Sequence, residues 1–581
     1  MGTISDKLMR IINTKEDIRR ALISKGYDVP TSIPFKEYAK MILDLPCNAD
    51  SFPDIEGIVA RYSALGLTNE QMAENPIWKD LTGNGHDLQM KNFAWKGMSG
   101  VGGYTENYDS NKWYKVASRI DATWTYKSFN VKSIKDNNSA QLFYQSQSSD
   151  TEFRVLSCTI KVSGLTDGQG IEYISNGTQP TVIMRIENDG IYHLPSFDFG
   201  AKNAYYGFKF LKLQESCNIT IEQLPLYPGA LVFDGVDDYG TCNNFPILTK
   251  EKGYTVVALR QWLSFQDIGY PTLVVNSTDR LAAFSFEDFR SKTKSTWNWG
   301  RSVGLSDYKI PLLYTYQTST SYNSKTIYTG ATEEGSNILQ VCRSGIYCAN
   351  AAIWEIVILD HDATEEELTK IKDYFVKTYP WLFPDQAWTV TGKTNEDEDR
   401  ATIANITGNG NNLVLSNFGF IEGSGYNEEG EYAGYLVTDG VDDKVESSPF
   451  TLNKDWTIVG NWTMLSNIPS NCGIIKVSSM FLYNSLDGVT IYFTGGPIKI
   501  QSKSINAFCS DGRIYLNDWT EILKPDAQIA SGGSKSSLNI ASYGTNFTKM
   551  AFKNLAIYDG KNLSKDECIK AYNYLQTIKA K

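Results

Sequence analysis

Residues 81–95 read LTGNGHDLQMKNFAW and residues 406–420 read ITGNGNNLVLSNFGF, and the organisation of the whole chain follows from that near-identity. Thr82, Gly83, Asn84, Gly85, Leu88, Asn92 and Phe93 recur at a constant offset of 325. The Gly-Asn-Gly centre supplies positive-φ positions for a turn, and the apolar residues after it supply a strand. A second pair is LVFDGVDDYG at 231–240 against LVTDGVDDKV at 436–445, now at an offset of 205. The strand after it matches too, Tyr254–Val257 against Trp456–Val459. A third pair closes each unit: EIVILDHDATEEELTKIKDYF at 355–375 and NLAIYDGKNLSKDECIKAYNYL at 554–575. In both, an apolar strand leads to a helix. Thr364 with Glu367 and Ser564 with Glu567 have capping-box spacing. Leu368, Ile371, Tyr374 and Phe375 match Cys568, Ala571, Tyr574 and Leu575 on one helical face.

Between the first two anchors the first copy is longer by 120 residues, a domain's length and not a loop's. The extra residues, 97–228, are strand-like. Leu156, Cys158, Ile160 and Val162 alternate with Ser157, Thr159 and Lys161, which predicts a half-buried strand. Val182–Ile186, Tyr206–Phe210 and Ile219–Ile221 read the same way. The expected architecture is mainly β: a first sandwich from 52–96 and 229–384, a β-sandwich inserted over 97–228, and a second sandwich over 385–581.

Residues 1–51 differ. Leu8, Ile11 and Ile12 share a helical face, Thr14 and Asp17 resemble an N-cap before Ile18, Ala21 and Leu22, and Tyr38, Met41 and Ile42 line a third stretch. Three short helices cannot bury much surface alone, so this segment is expected to dock on other proteins or to oligomerise the chain, as a trimer.

Composition narrows the partners. A chain of 581 residues exceeds one core, and 13% aromatic residues with 46 Gly favour short strands and tight turns. The net charge of −11 and the lack of basic stripes argue against nucleic acid. Nine scattered cysteines without a CxxC read as buried thiols of a reducing compartment. The opening MGTISDKLMRIINTKED has no apolar secretion signal, and no stretch is apolar enough to span a bilayer, so membrane insertion is not expected.

The anchors resemble the laminin-G-like, concanavalin A-like lectin family. The residues that carry the resemblance are Trp78-Lys79-Asp80-Leu81-Thr82-Gly83-Asn84-Gly85, Phe233-Asp234-Gly235-Val236-Asp237-Asp238-Tyr239, and Ile557-Tyr558-Asp559 leading to Leu563-Ser564 and Glu567. The second copy departs at Ala404 and Asn405, which replace Lys79 and Asp80, and at Thr438, which replaces the strand Phe. The resemblance implies two concanavalin A-like jelly rolls, a fold whose members bind glycans, proteins or nothing known. The N-terminal pattern resembles helices that begin virion proteins of phages infecting gut bacteria. Together these imply a head or tail fibre protein, assembled in the host cytoplasm, that binds host-surface glycan or protein.

Candidate chemistry is sparse. Asp234, Asp237 and Asp238, with Asp439, Asp442 and Asp443, form two carboxylate clusters. Some members of the resembled family bind Ca²⁺, but a short run cannot supply six or more oxygens, and a plain turn is the expected role. Trp297, Trp299 and Arg301, followed by Tyr314 and Tyr316, are the densest aromatic and polar group of the first copy, suited to a sugar or, as alternating aromatics, to one packed face of a strand. Glu396-Asp397-Glu398-Asp399 has the wrong spacing for a glycosidase pair, and His86, His193 and His361 lie too far apart for a triad. No cofactor and no enzymatic activity are expected. The alternatives are a bacterial glycan-binding surface protein and a capsule depolymerase.

Overall fold

A computed structural model of the chain describes residues 52–580 apart from loop stretches, chiefly 147–153, 199–203, 265–271, 276–284, 290–301, 304–311, 330–335, 466–471 and 524–535, with shorter ones between strands. The expected N-terminal helical segment, 1–51, lies outside the described residues. The chain divides into two compact units, one holding residues up to Glu56 with Thr364–Tyr379, the other Gly57–Ala363 with Pro380–Lys581. In the smaller unit the helix Glu365–Thr378 begins at the expected Thr364/Glu367 capping box, and Phe52 meets Tyr374 edge-on at 4.9 Å. No helix among the described residues is long and apolar enough to cross a membrane.

The larger unit is built of antiparallel sandwiches. The strand Asn350–Leu359 is buried along nearly its whole length because it is hydrogen-bonded on both edges. Thr255–Trp262 covers one edge. The other edge is divided between Leu231–Asp234 and Ile58–Ser63. Met550–Asp559 repeats this arrangement with Trp456–Met464 on one side and Tyr435–Val437 and Gln386–Thr389 on the other. Even the irregularities correspond: a bulge at Leu259/Arg260 has its counterpart at Asn461/Trp462. Facing these sheets are seven strands in the first copy, from Ile77–Trp78 to Ser302–Val303, and eight in the second, from Thr402–Ile403 to Gly496–Ile500. In each copy one continuous apolar cluster draws residues from both sheets, which makes each a sandwich with its core between the layers.

The opening turn shows why the second copy tolerates its departures. Asp80 Oδ1 accepts from the Thr82 amide and hydroxyl at 3.0 and 2.7 Å, and Asn405 Oδ1 accepts from the Thr407 amide and hydroxyl at 2.9 and 2.8 Å. The turn needs an acceptor and not a charge, so Asp and Asn serve equally. Thr438, where the first copy has Phe233, buries its hydroxyl by donating to the Thr548 carbonyl at 2.6 Å and accepting from the Met550 amide at 3.0 Å.

The extra residues of the first copy form their own pair of five-stranded sheets over Trp113–Gln223, around a third apolar cluster. In the second copy Gly425–Asn427 and Tyr435–Val437 are joined as a plain hairpin at a sheet edge. The equivalent strands of the first copy, Gly100–Val101 and Leu231–Asp234, also pair, but the chain between them is the inserted sandwich. The first sandwich therefore runs past the expected boundary at 96/97, since Gly100–Val101 is part of its sheet. Both entry points are held by an asparagine: Asn69 Oδ1 accepts from Val101 N at 2.6 Å, and Asn395 Oδ1 from Tyr426 N at 2.8 Å. A Cβ on Gly100 would stand 2.3 Å from Asn69 Oδ1, so this approach requires glycine.

The inserted sandwich also touches the second one. Thr159, placed on the solvent side by strand alternation, is instead 4% exposed, because its hydroxyl donates to Asn573 Oδ1 at 2.9 Å on the helix Lys565–Gln576. Ile191 N donates to the Asp518 carbonyl at 3.0 Å, and His193 meets Tyr572 edge-on at 5.9 Å. His193 Nδ1 lies 3.3 Å from Thr159 Oγ1, and its Nε2 is buried without a hydrogen-bond partner. Burial, helped by the Lys553 ammonium, pushes the His193 imidazole down to about 3. A folded value below the unfolded one, about 6.5, means that His193 adds stability above that pH and loses it as the pH falls toward the folded value. Relative to the wild type, His193→Leu is expected to gain melting temperature progressively as the pH falls from about 6.5 to 4, whatever the slope the buried carboxyls impose on both proteins. Calorimetric scans of both proteins across this range test it, and parallel slopes would refute the role given to His193.

Candidate functional site

The two Asp-Gly-Val-Asp-Asp runs are the corners where the chain leaves one sheet for the other. Asp234 ends a strand of the first layer and Tyr239 begins one of the second. In the second copy the first-layer strand ends at Val437, just before the run, and Lys444 begins the second-layer strand. Gly235 and Gly440 both take φ +78, which permits the reversal.

The carboxylates split by role. Asp234 Oδ1 accepts from the amides of Val236 and Asp237 at 2.7 and 3.4 Å, an Asx turn. Asp238 is fully buried: one oxygen accepts from Ser99 Oγ at 3.0 Å and the other from Asp234 N at 3.1 Å. Asn92 donates to the Asp237 carbonyl at 3.0 Å. The second copy reproduces every bond. Asp439 Oδ1 accepts from Val441 N and Asp442 N, Asp443 from Ser424 Oγ and Asp439 N, and Asn417 donates to the Asp442 carbonyl. Burial pushes the Asp238 carboxyl up to about 7 and the Asp443 carboxyl to about 6, with the hydrogen bonds opposing it. Each triad brings three carboxylate oxygens within 4.8 Å of one another. That is part of the six to eight oxygens Ca²⁺ takes, and both oxygens of the buried member already serve as acceptors.

Around the first corner lies a group that no local pattern in the sequence marked. The Arg343 guanidinium stands 4.2 Å over the Tyr239 ring, and Arg343 Nε donates to Gly345 O at 2.9 Å, which shapes the hairpin Arg343–Cys348. The Cys348 thiol feels both Arg343 and the three carboxylates, while burial pushes it up to about 11. Val236 and Ile346 project from the two loops, 75% and 79% exposed. An aromatic ring, a cation, two accessible carboxylates and two apolar tips thus share one rim. In the second copy Lys444 replaces Tyr239, and its ammonium pairs with Glu446 at 2.8 Å.

The other candidates fare differently. Trp297, Trp299 and Arg301 lie outside the described residues. Tyr314 and Tyr316 sit on the strand Leu312–Tyr316, in register with Val257 and Thr255. The acidic run at 396–399 is a turn in which Asp397 accepts from Thr394 N and Oγ1 at 3.0 and 2.9 Å.

No protein-family model matches the chain, and no curated protein does. Among solved structures it is similar to Trypanosoma rangeli sialidase in complex with the inhibitor DANA, at 9% identity over 78% of this chain and 83% of that one, with a TM-score of 0.26. The tandem CBM22 domains of Paenibacillus barcinonensis Xyn10C match 48% of this chain and 96% of that one at 9% identity and a TM-score of 0.16. The binding domain of botulinum neurotoxin DC, in complex with SialylT, matches 86% of this chain and 94% of that one at 10% identity and a TM-score of 0.17.

Removing the Asp238 or Asp443 carboxylate strands an amide and a hydroxyl that it satisfies. Asp238→Ala and Asp443→Ala are each expected to cost about 1–3 kcal/mol, and Asp237→Ala or Asp442→Ala less than about 0.5 kcal/mol. Urea titrations in EDTA and in calcium chloride measure this. Equal losses in both media are expected, and a loss confined to calcium would make the acids metal ligands.

Proposed function

We propose that the protein is a non-catalytic adhesive component of a phage virion, of head or tail fibre type, whose first sandwich holds an uncharged host-surface glycan at the Asp234–Tyr239 corner. The observation that carries the glycan reading is the half-buried Tyr239–Arg343 stack beside half-buried Asp234 and exposed Asp237. Sugars are held by an aromatic face that covers C–H groups and by carboxylates and guanidinium groups that bond hydroxyls. The Asp234 and Asp237 carboxylates, which reach the surface, repel sialylated or sulfated ligands, which selects an uncharged sugar. The second sandwich lacks the stack and serves as scaffold. The virion reading rests on the helical pattern of residues 1–51 joined to lectin-like sandwiches.

Tyr239→Ala is expected to weaken binding to neutral oligosaccharides by about tenfold or more, and Lys444→Ala to leave it unchanged. Isothermal titration against ligands chosen from a glycan array measures both. Equal weakening by the two variants, or none by Tyr239→Ala, would remove the rim as the site. Release of oligosaccharide from host capsule would replace binding by depolymerisation. Peptides of this chain in purified phage particles are the expected mark of a virion protein.

A further inference from the structure

The inserted sandwich carries a surface that neither the corner nor the contact between domains uses. One of its two five-stranded sheets runs, in hydrogen-bonded order, Pro180–Ile186, Gly170–Asn176, Tyr205–Leu213, Asn137–Gln145 and Trp113–Val116. Its inner face supplies Tyr173, Tyr206, Phe208, Leu142 and Trp113 to the apolar cluster of this sandwich. Thr159, Ile191 and His193, which meet the second sandwich, belong to the other sheet, so the outer face of this one lies on the opposite side of the domain.

Strand alternation sets Ile174, Gly207, Phe143 and Tyr114 side by side across that outer face, in direct register. Gly207 is obligatory there, because a Cβ would run into the Leu142 carbonyl. The consequence is a gap in the middle of the face. Phe143 and Ile174, both buried, lie on either side of it. The half-buried rings of Tyr205 and Tyr114 flank Phe143, with centroids 4.4 and 6.1 Å from its own.

Two residues further along the strands the face becomes charged. Glu172, Lys209 and Gln141 lie in register, with Arg185 opposite Glu172. Both oxygens of the buried Glu172 are engaged, Oε1 by Arg185 at 2.7 Å and Oε2 by Lys209 at 2.9 Å. Two cations on one carboxylate leave a positive charge over. The Arg185 side chain is 64% exposed and has guanidinium donors beyond the one that meets Glu172. The five strands hold Lys115, Arg185, Lys209 and Lys212 against the one acid Glu172. The opposite sheet is balanced, with Lys132 and Lys161 against Asp121 and Glu222. In a chain of net charge −11 this face reverses the sign locally.

We propose that this face is a second glycan site, which binds an oligosaccharide whose sugars carry carboxylates. Tyr205 and Tyr114 cover the C–H face of one ring, the gap at Gly207 admits the next, and Arg185 and Lys209 hold a carboxylate. From Tyr205 to Lys209 the strand advances about 13 Å. The ligand is therefore a chain of sugars lying along the strand and not a single ring. Its charge is opposite to what the Asp234–Tyr239 corner tolerates, and the two sites stand or fall separately.

An array of uronic- and sialic-acid oligosaccharides, printed beside their methyl esters, tests this with the full-length protein. Binding to acidic members and not to their esters is expected, weakening as sodium chloride rises. In calorimetric titrations with the strongest acidic member, Arg185→Ala and Tyr205→Ala are each expected to weaken binding about tenfold. Tyr205→Phe is expected to retain it, and Tyr239→Ala to leave it unchanged. Both truncated side chains lie outside the apolar cluster, and melting curves that match the wild type check that the variants are folded. No acidic binder on the array, equal binding to acids and esters, or full affinity in the Arg185→Ala protein would overturn the proposal. Acidic binding that survives while neutral-sugar binding fails supports this site and removes only the corner.

Discussion

A buried carboxylate at the corner between two sheets governs the rest of the molecule. A sandwich requires the chain to leave one layer and enter the other, and the crossing exposes amides that neither sheet can satisfy. Asp238 and Asp443 satisfy them from inside, each accepting from the corner's own first amide and from a serine of the neighbouring hairpin. The outer carboxylates of Asp234 and Asp439 cap the turn from the other side. Because burial favours the protonated form of Asp238 and Asp443, this fastening is under electrostatic strain at neutral pH, relieved only by its hydrogen bonds. Asp-Gly-Val-Asp-Asp is therefore a structural solution first, and any ligand at the rim uses what that solution leaves exposed.

The same economy explains where a second domain could enter. A hairpin at a sheet edge contributes two strands, and its loop contributes nothing to the core. In one copy the loop is a few residues between Asn427 and Tyr435; in the other it is a whole sandwich between Val101 and Leu231. The glycine and asparagine at the base of the hairpin are the same in both, Gly100 with Asn69 and Gly425 with Asn395. The base is thus specified independently of what it carries. The inserted sandwich then gains a second anchorage through Thr159, His193 and Ile191.

Much of this was legible in the sequence because the repeat compares the chain with itself. Turn glycines, strand starts and capping boxes recur at fixed offsets, and the offset change located the insertion. The match stopped at residues 95 and 420, although Ser99 with Ser424 and Gly100 with Gly425 continue it, because serine and glycine in a loop carry no pattern of their own. Strand alternation placed Cys158, Ile160 and Val162 inward, and they are buried. It placed Thr159 outward, where the helix of another sandwich covers it, and placed Leu156 inward, where it lies before the strand and is 51% exposed. Alternation reports one face of one sheet, and docking between domains is invisible to it. The carboxylate clusters were legible for the same reason as the turns. The Tyr239–Arg343 stack was not, because its members are about a hundred residues apart and meet only when the hairpin at 343–348 folds beside the corner.

The two copies now differ in ways that are chemically consistent. The first keeps the Tyr239–Arg343 stack and carries the insertion; the second has Lys444 engaged with Glu446 and supplies the helix on which the insertion rests. That helix is buried on more than one side, since Cys568, Ala571 and Leu575 are buried together with Tyr572 and Asn573, which face the inserted sandwich. A helix so enclosed must stay in place for the insertion to stay docked. Any bond that fixes it to the sheet beneath, such as that from Asn554 Nδ2 to the Leu575 carbonyl at 3.4 Å, therefore acts on the contact between domains as well as on the sandwich that owns it. The aromatic–cation stack and the docking helix thus fall in different copies of one fold, with the corner aspartate common to both.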